Sequence, residues 1–280
     1  MFKLSRLFLF LCFSMGLVSC KTQQLPSWSL VWSDEFDYRG LLDPEKWTYE
    51  IGHIRNFEEQ YYTGPLLENV EVKKGKLFIT GKKEQFPNAE YEEASTNWRT
   101  SKPFAEYTSS CIITDGINAW RYGRIEVRAK LPRGDGIWPA IWMLGDNFSD
   151  IGWPYAGEID IMEHVGTEPN IVHGTVHYPV GDEEAYRSDG GQITKKRLSK
   201  KFHTYAIEWT EDRIDFFIDE IKYHSFDLDK AGVGADNPFR KPHYLLINLA
   251  MGAKWPGPID DQVLPQQFII DYVRVYQKND

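Results

Sequence analysis

The chain consists of short runs in which polar and apolar residues alternate, and no stretch keeps the 3.6-residue rhythm of a long helix. Such runs cover residues 70–72, 76–80, 107–114, 123–130, 140–144, 157–164, 171–178, 203–209, 213–218, 243–249 and 268–276. Turn residues cut them apart, as in Lys74-Gly75, Pro132-Arg133-Gly134-Asp135-Gly136 and Glu211-Asp212. Ile125 to Lys130 alternates cleanly, so one face of that strand is dry and the other wet. Phe216-Phe217-Ile218-Asp219-Glu220 reads as a hairpin strand running into its turn. Many short strands with regular turn signals predict an all-β sandwich or barrel. Two polar stretches, residues 84–102 and 179–201, exceed an ordinary connection and are expected to be loops rimming a cleft. With no repeat and no linker, the expectation is a leader over 1–20, a tether over 21–27 and one domain over 28–280.

One run departs from the pattern. Gly157-Glu158-Ile159-Asp160-Ile161-Met162-Glu163-His164 sets Glu158 and Asp160 on one strand face, with Ile159 and Ile161 turned away. Glu163 is one residue out of step and reaches that face only if a bulge near Met162 inserts an extra residue. Carboxyls gathered on one face raise each other's pKa and destabilise a fold. A protein gains from that arrangement where it needs two carboxyls in different protonation states, as glycoside hydrolysis does. A solvated strand face also puts acids at alternate positions, and alternation alone leaves both readings open.

Composition narrows the choice. Ten Trp and 15 Tyr are more than a β core of this size usually needs, and flat sugar faces stack on indole, so an aromatic-lined cleft is expected. The formal net charge is −9, and losing Lys3 and Arg6 with the leader makes the mature chain more negative still. That charge argues against nucleic acid and suits a neutral polymer better than a sulfated one. Residues 1–20 open with Lys3 and Arg6, continue in a short apolar run and end in small residues, the pattern of a secretory signal. Leu17-Val18-Ser19-Cys20 resembles a bacterial lipobox, which implies an exported lipoprotein anchored through Cys20. Cys111 is alone in the mature domain, within the strand-like Ser109-Ser110-Cys111-Ile112-Ile113, and reads as a structural thiol.

The acid run is preceded by Gly136-Ile137-Trp138-Pro139-Ala140-Ile141-Trp142-Met143-Leu144-Gly145. Trp32-Ser33-Asp34-Glu35-Phe36, Asn56 with Gln60-Tyr61-Tyr62-Thr63, and Tyr122 to Lys130 come earlier in the chain. Val172 to Tyr178 and Asp271-Tyr272-Val273-Arg274-Val275-Tyr276 come later. In this order, from about Leu30 to Tyr276, the set resembles glycoside hydrolase family 16, in particular its laminarinase-like endo-β-1,3-glucanases. The extra residue in Glu-x-Asp-x-x-Glu speaks for that branch over the relatives with Glu-x-Asp-x-Glu.

The resemblance implies a β-jelly-roll sandwich, lectin-like, with a cleft across its concave sheet. It implies a retaining endo-glycosidase in which Glu158 is the nucleophile, Asp160 its assisting carboxyl and Glu163 the general acid/base. Trp138 and Trp142 resemble sugar-stacking tryptophans of the donor subsites, Asn56 a donor-side polar contact, and Trp255 a further platform. Trp98 and Arg99 in the first long loop are weaker candidates of the same kind. His177 is placed to bond the acids or to serve structure alone, and His173 and His164 are less favoured. Glu35, the Gly75 carbonyl and Asp271 resemble a structural calcium site on the convex face, short of the six to eight oxygens calcium takes. The expected partner is a β-glucan bound by a monomer, with no cofactor for catalysis. The same fold acting on mixed-linkage glucan or an algal galactan, and a non-catalytic glucan-binding protein, remain alternatives.

Overall fold

The computed structural model describes residues 28–181 and 185–279. The leader, the tether and the anchor at Cys20 lie outside the described residues. Seventeen strands are present among those described, with one short α-helix, α1 (Phe148–Ile151), and four 3-10 turns. Hydrogen bonds join the strands into one network that folds over into two facing layers.

The layer that carries the acids runs, in spatial order, β2 (Thr48–Gly52), β7 (Cys111–Ile113), β16 (His243–Met251), β9 (Ile137–Gly145), β10 (Glu158–Glu163), β11 (Ile171–Pro179) and β12 (Tyr186–Thr194). The opposite layer runs β4 (Val70–Lys73), β5 (Lys76–Pro87), β17 (Gln266–Lys278), β8 (Gly123–Lys130), β13 (His203–Trp209), β14 (Arg213–Ile218) and β15 (Ile221–Asp227). Beside β17 lies β1 (Trp28–Asp34), and the short strands β3 (Gln60–Thr63) and β6 (Phe104–Ser109) bridge the layers at one edge.

The alternating residues meet between the layers. Ile141, Met143, Ile159, Ile161, Leu245 and Ile247 on one side bury against Ile125, Val127, Tyr205, Ile207, Phe216 and Val275 on the other. Burial of this kind stabilises by about 25 cal/mol per Å² of apolar surface removed from water. A second, smaller cluster lies on the outer face of the site layer: Tyr62, Cys111, Ile113, Ala140, Trp142, Leu144, Tyr244 and Leu246. Cys111 is thus a fully buried thiol packed under the floor of the site.

The expected hairpin at Asp219-Glu220 forms. Both residues have positive φ, 47° and 65°, which matches the twist of a tight two-residue turn between β14 and β15. Three expectations need correction. The stretch 179–201 contains the edge strand β12 at its centre rather than being a loop throughout. Its sequence, Tyr-Arg-Ser-Asp-Gly-Gly-Gln-Ile-Thr, lacks apolar alternation because mainly Ile193 packs on the core, and pairing to β11 supplies its order. The stretch 84–102 begins as the end of β5, which runs to Pro87. The run 107–114 is two strands, parted at Ser110, because β6 pairs with β3 and β5 while β7 pairs with β2 and β16.

Gly157 turns the chain into β10 at φ +77°, and a Cβ there would sit 2.8 Å from the Pro238 side chain. Gly157→Ala is therefore expected to cost about 1–3 kcal/mol, read as a lowered urea midpoint with an unchanged slope.

Candidate active site

The register of β10 changes between Asp160 and Met162 against β9, and between Asp160 and Glu163 against β11. This is the bulge that the sequence requires. Ile161 and Met162 are consecutive and both fully buried in the core, so Glu163 emerges on the same face as Glu158 and Asp160. All three carboxyls line one cleft of about 470 Å³.

The carboxyls are crowded and poorly solvated, and each is shifted toward its neutral form. Burial first, and then the neighbouring Asp160, push Glu158 up to about 8. Burial pushes Asp160 up to about 7, opposed by a hydrogen bond from Glu158 that favours its carboxylate. Burial, with Asp160 and Glu158 both nearby, raises Glu163 well above the usual carboxylate range. His177 and Arg55 oppose the rise at Glu158, and the Trp138 indole, donating to Glu163 Oε1 at 3.1 Å, opposes it at Glu163. His177 Nε2 lies 3.1 Å from Asp160 Oδ2 and 3.8 Å from Glu158 Oε1, and its Nδ1 shares a 2.8 Å hydrogen bond with Ser188.

The remaining candidates divide. Trp138 and Trp255 pack edge to face at 5.3 Å on the Glu163 side, and Trp255 is 42% exposed. His173 backs Trp255 at 5.2 Å and bonds Glu168 at 2.9 Å. Trp142 lines the cleft as a nearly buried floor rather than an open platform. The Arg55 guanidinium covers its ring at 4.8 Å, and its N–H donates to Asn248 at 2.7 Å. Asn56 lines the cleft with φ +57° and donates to the buried Glu58. Glu58 also accepts from Gln60 and Tyr62, and Tyr62 accepts from Asn248, so one network fixes both Asn56 and Trp142. Trp98 and Arg99 do not line the cleft. Arg99 donates to the Ile54 carbonyl and lies over Trp98, so the pair braces the loop bearing Asn56. His164 is buried and bonded to the Ile171 carbonyl, a structural role.

Several lining residues escaped the sequence reading: Arg55, Glu58, Phe148, Trp153, Tyr186 and Asn248. Asn248 had a readable signal as the polar residue in Leu245-Leu246-Ile247-Asn248-Leu249-Ala250. Trp153 and Tyr186 had none, since neither the connection before β10 nor the edge strand β12 carries an apolar period.

On the other layer, Glu35, Gly75 and Asp271 do share one shallow pocket, together with Asp37. Glu35 is paired with Arg274 at 2.8 Å and 2.9 Å, and Asp271 with Lys76 at 3.1 Å and with Arg128. Three acids facing three cations offer a divalent ion no net charge, so the residues in this arrangement do not fit calcium. Chelation by EGTA is expected to leave Tm unchanged. A fall of several degrees would mean that the acids exchange their basic partners for a cation.

Relatives place this geometry in context. The model for glycosyl hydrolases family 16 matches residues 69–274. The chain belongs to this family. A β-glucanase of Rhodothermus marinus is 42% identical over 93% of this chain and 89% of its own length. A solved laminarinase of the same organism aligns with a TM-score of 0.77, covering 92% of this chain and 100% of that one at 42% identity. A solved structure from work on endo-acting O-glycanases of the human gut microbiota aligns with a TM-score of 0.84, at 40% identity over 90% of this chain and 91% of that one. The family 16 laminarinase match carries the jelly-roll sandwich expected from the sequence.

The raised carboxyls make stability depend on pH with a definite sign. Glu158 holds its proton up to about 8 in the fold, against about 4.3 in an unfolded chain. Its stabilising contribution is therefore complete below the unfolded value and is lost as pH climbs through that window. Glu158→Gln, which cannot ionise, is expected to match wild type near pH 4 and to exceed its Tm by about 3 °C or more at pH 8. Melting curves across pH 4–8 check this.

Proposed function

We propose that this chain is an endo-acting glycoside hydrolase that cuts internal β-1,3-glucosidic bonds of laminarin-type glucans with retention of configuration. The observation that carries the reading is the bulged strand that turns Glu158, Asp160 and Glu163 into one aromatic-lined cleft. The Glu158 carboxylate attacks the anomeric carbon while Glu163 gives its proton to the departing oxygen. The C–O bond breaks and a glycosyl ester forms on Glu158. Glu163, now a carboxylate, takes a proton from water as the water oxygen attacks the same carbon, which frees Glu158.

The electrostatics support Glu163 as the proton donor. Glu163 is raised by both other acids and keeps its proton, as the donor must. Glu158, pushed up to about 8, attacks from the ionised fraction that His177 and Arg55 favour, once its proton has left it. Arg55 is the one Lys or Arg lining the cleft among the described residues, and it is paired with Glu50. That supports a neutral glycan over a sulfated one. The β-1,3 linkage draws on the similarity to the laminarinase and on the bulged form of the acid strand. A second reading, the same chemistry on a bond within an O-glycan, draws on the 0.84 TM-score to the chain from the O-glycanase work. The leader ending in Cys20 supports export as a lipoprotein.

Glu158→Gln is expected to lower kcat on laminarin by at least about 10³-fold, and Glu163→Gln by about 10²–10⁴-fold. An aryl glycoside whose leaving group needs no proton should restore the first step in Glu163→Gln but not in Glu158→Gln. Near-native laminarin turnover by Glu158→Gln would sink the assignment, and a panel of β-glucans and O-glycans separates the two substrate readings.

A further inference from the structure

The cleft crosses the strands of the site layer, and the order of those strands gives it two ends. The loop bearing Arg55 and Asn56 follows β2, at one edge of that layer. Tyr186 opens β12, at the other edge, with the acids on β10 between the two. Trp153 stands in the connection between β9 and β10 that also holds α1. Both aromatics line the cleft.

Trp153 is 42% exposed and Tyr186 is 51% exposed, yet their rings meet at 4.5 Å with planes 60° apart. Both approach His177, at 6.3 Å and 6.1 Å, and His177 in turn reaches Asp160 and Glu158. Two large rings held together and left exposed beside a catalytic cleft form an apolar surface of the kind that marks a binding site. They carry no charge, and their faces suit the C–H face of a neutral pyranose.

The geometry points to Trp153 and Tyr186 as the acceptor-side wall, a platform for the sugar on the leaving-group side of the cut bond. This rests on the hydrolase reading above. Asn56 and Trp142, which resemble donor-side contacts, lie on the far side of β10, so a ring against Trp153 and Tyr186 belongs to the part of the chain that departs. The wall makes the enzyme favour neutral β-linked oligosaccharides that extend past the cut. It also holds an incoming sugar against the glycosyl ester, where its hydroxyl competes with water.

Two substrates isolate the wall. Laminaripentaose places sugars on both sides of the bond, whereas β-laminaribiosyl fluoride fills only the donor side and loses fluoride. For Trp153→Ala, the ratio of kcat/KM on the pentaose to kcat/KM on the fluoride is expected to fall about tenfold, the loss of one aromatic contact. Trp153→Phe should recover most of that ratio, and Tyr186→Ala should lower it less than Trp153→Ala does. If the aromatics only prop His177, the acids are disturbed for both substrates alike. A ratio that stays at the wild-type value would therefore overturn the wall even if both activities drop. Wild-type protein inert toward both substrates overturns the hydrolase reading, and the wall with it.

Discussion

Three carboxyls on one short strand, backed by an apolar core, set the terms for everything around them. The β10 backbone can hold Ile159, Ile161 and Met162 in the core and still present Glu158, Asp160 and Glu163 outward only because it bulges between Asp160 and Met162. A regular strand of the same six residues would bury Glu163 and expose Met162. The core between the layers supplies the stability that this strand lacks, since an acid cluster removed from water works against folding at neutral pH.

The rest of the site layer is arranged around that strand. Its neighbours β9 and β11 lock the register on either side, so Ala140 and His173 lie beside Glu163 while Leu144 and His177 lie beside Glu158. Trp138 holds one acid by its indole N–H, and His177 stands against the other two. The far wall is stiffened by the buried network that runs from Asn56 through Glu58, Tyr62 and Asn248 to Trp142. Preorganised polar groups of this kind limit the rearrangement left for the moment of reaction.

Much of this was legible in the chain, and the parts that were not share a cause. Strands such as β8 and β13 announce themselves because apolar residues alternate with polar ones along them, although Arg124 and Glu126 on the polar face of β8 are buried as an ion pair. The bulge follows from the misplaced third acid, and Cys111 follows from its apolar neighbours. The edge strand β12 was missed because few of its residues are buried, so its sequence carries no alternation. Trp142 reads the same whether it is a bare platform or a floor covered by Arg55. That difference depends on a loop nearly ninety residues away in sequence. Trp98 and Arg99 likewise look like cleft residues until their contacts with Ile54 and Phe57 place them behind the Asn56 loop.

The sequence by itself determined the all-β class, the family and the acid trio, because strand period, bulge and motif order are local properties of the chain. Only the tertiary structure decided which aromatics stand free in the cleft, which are covered, and what neutralises Glu35 and Asp271. Those outcomes depend on contacts between strands far apart in sequence, and no local pattern encodes such a contact.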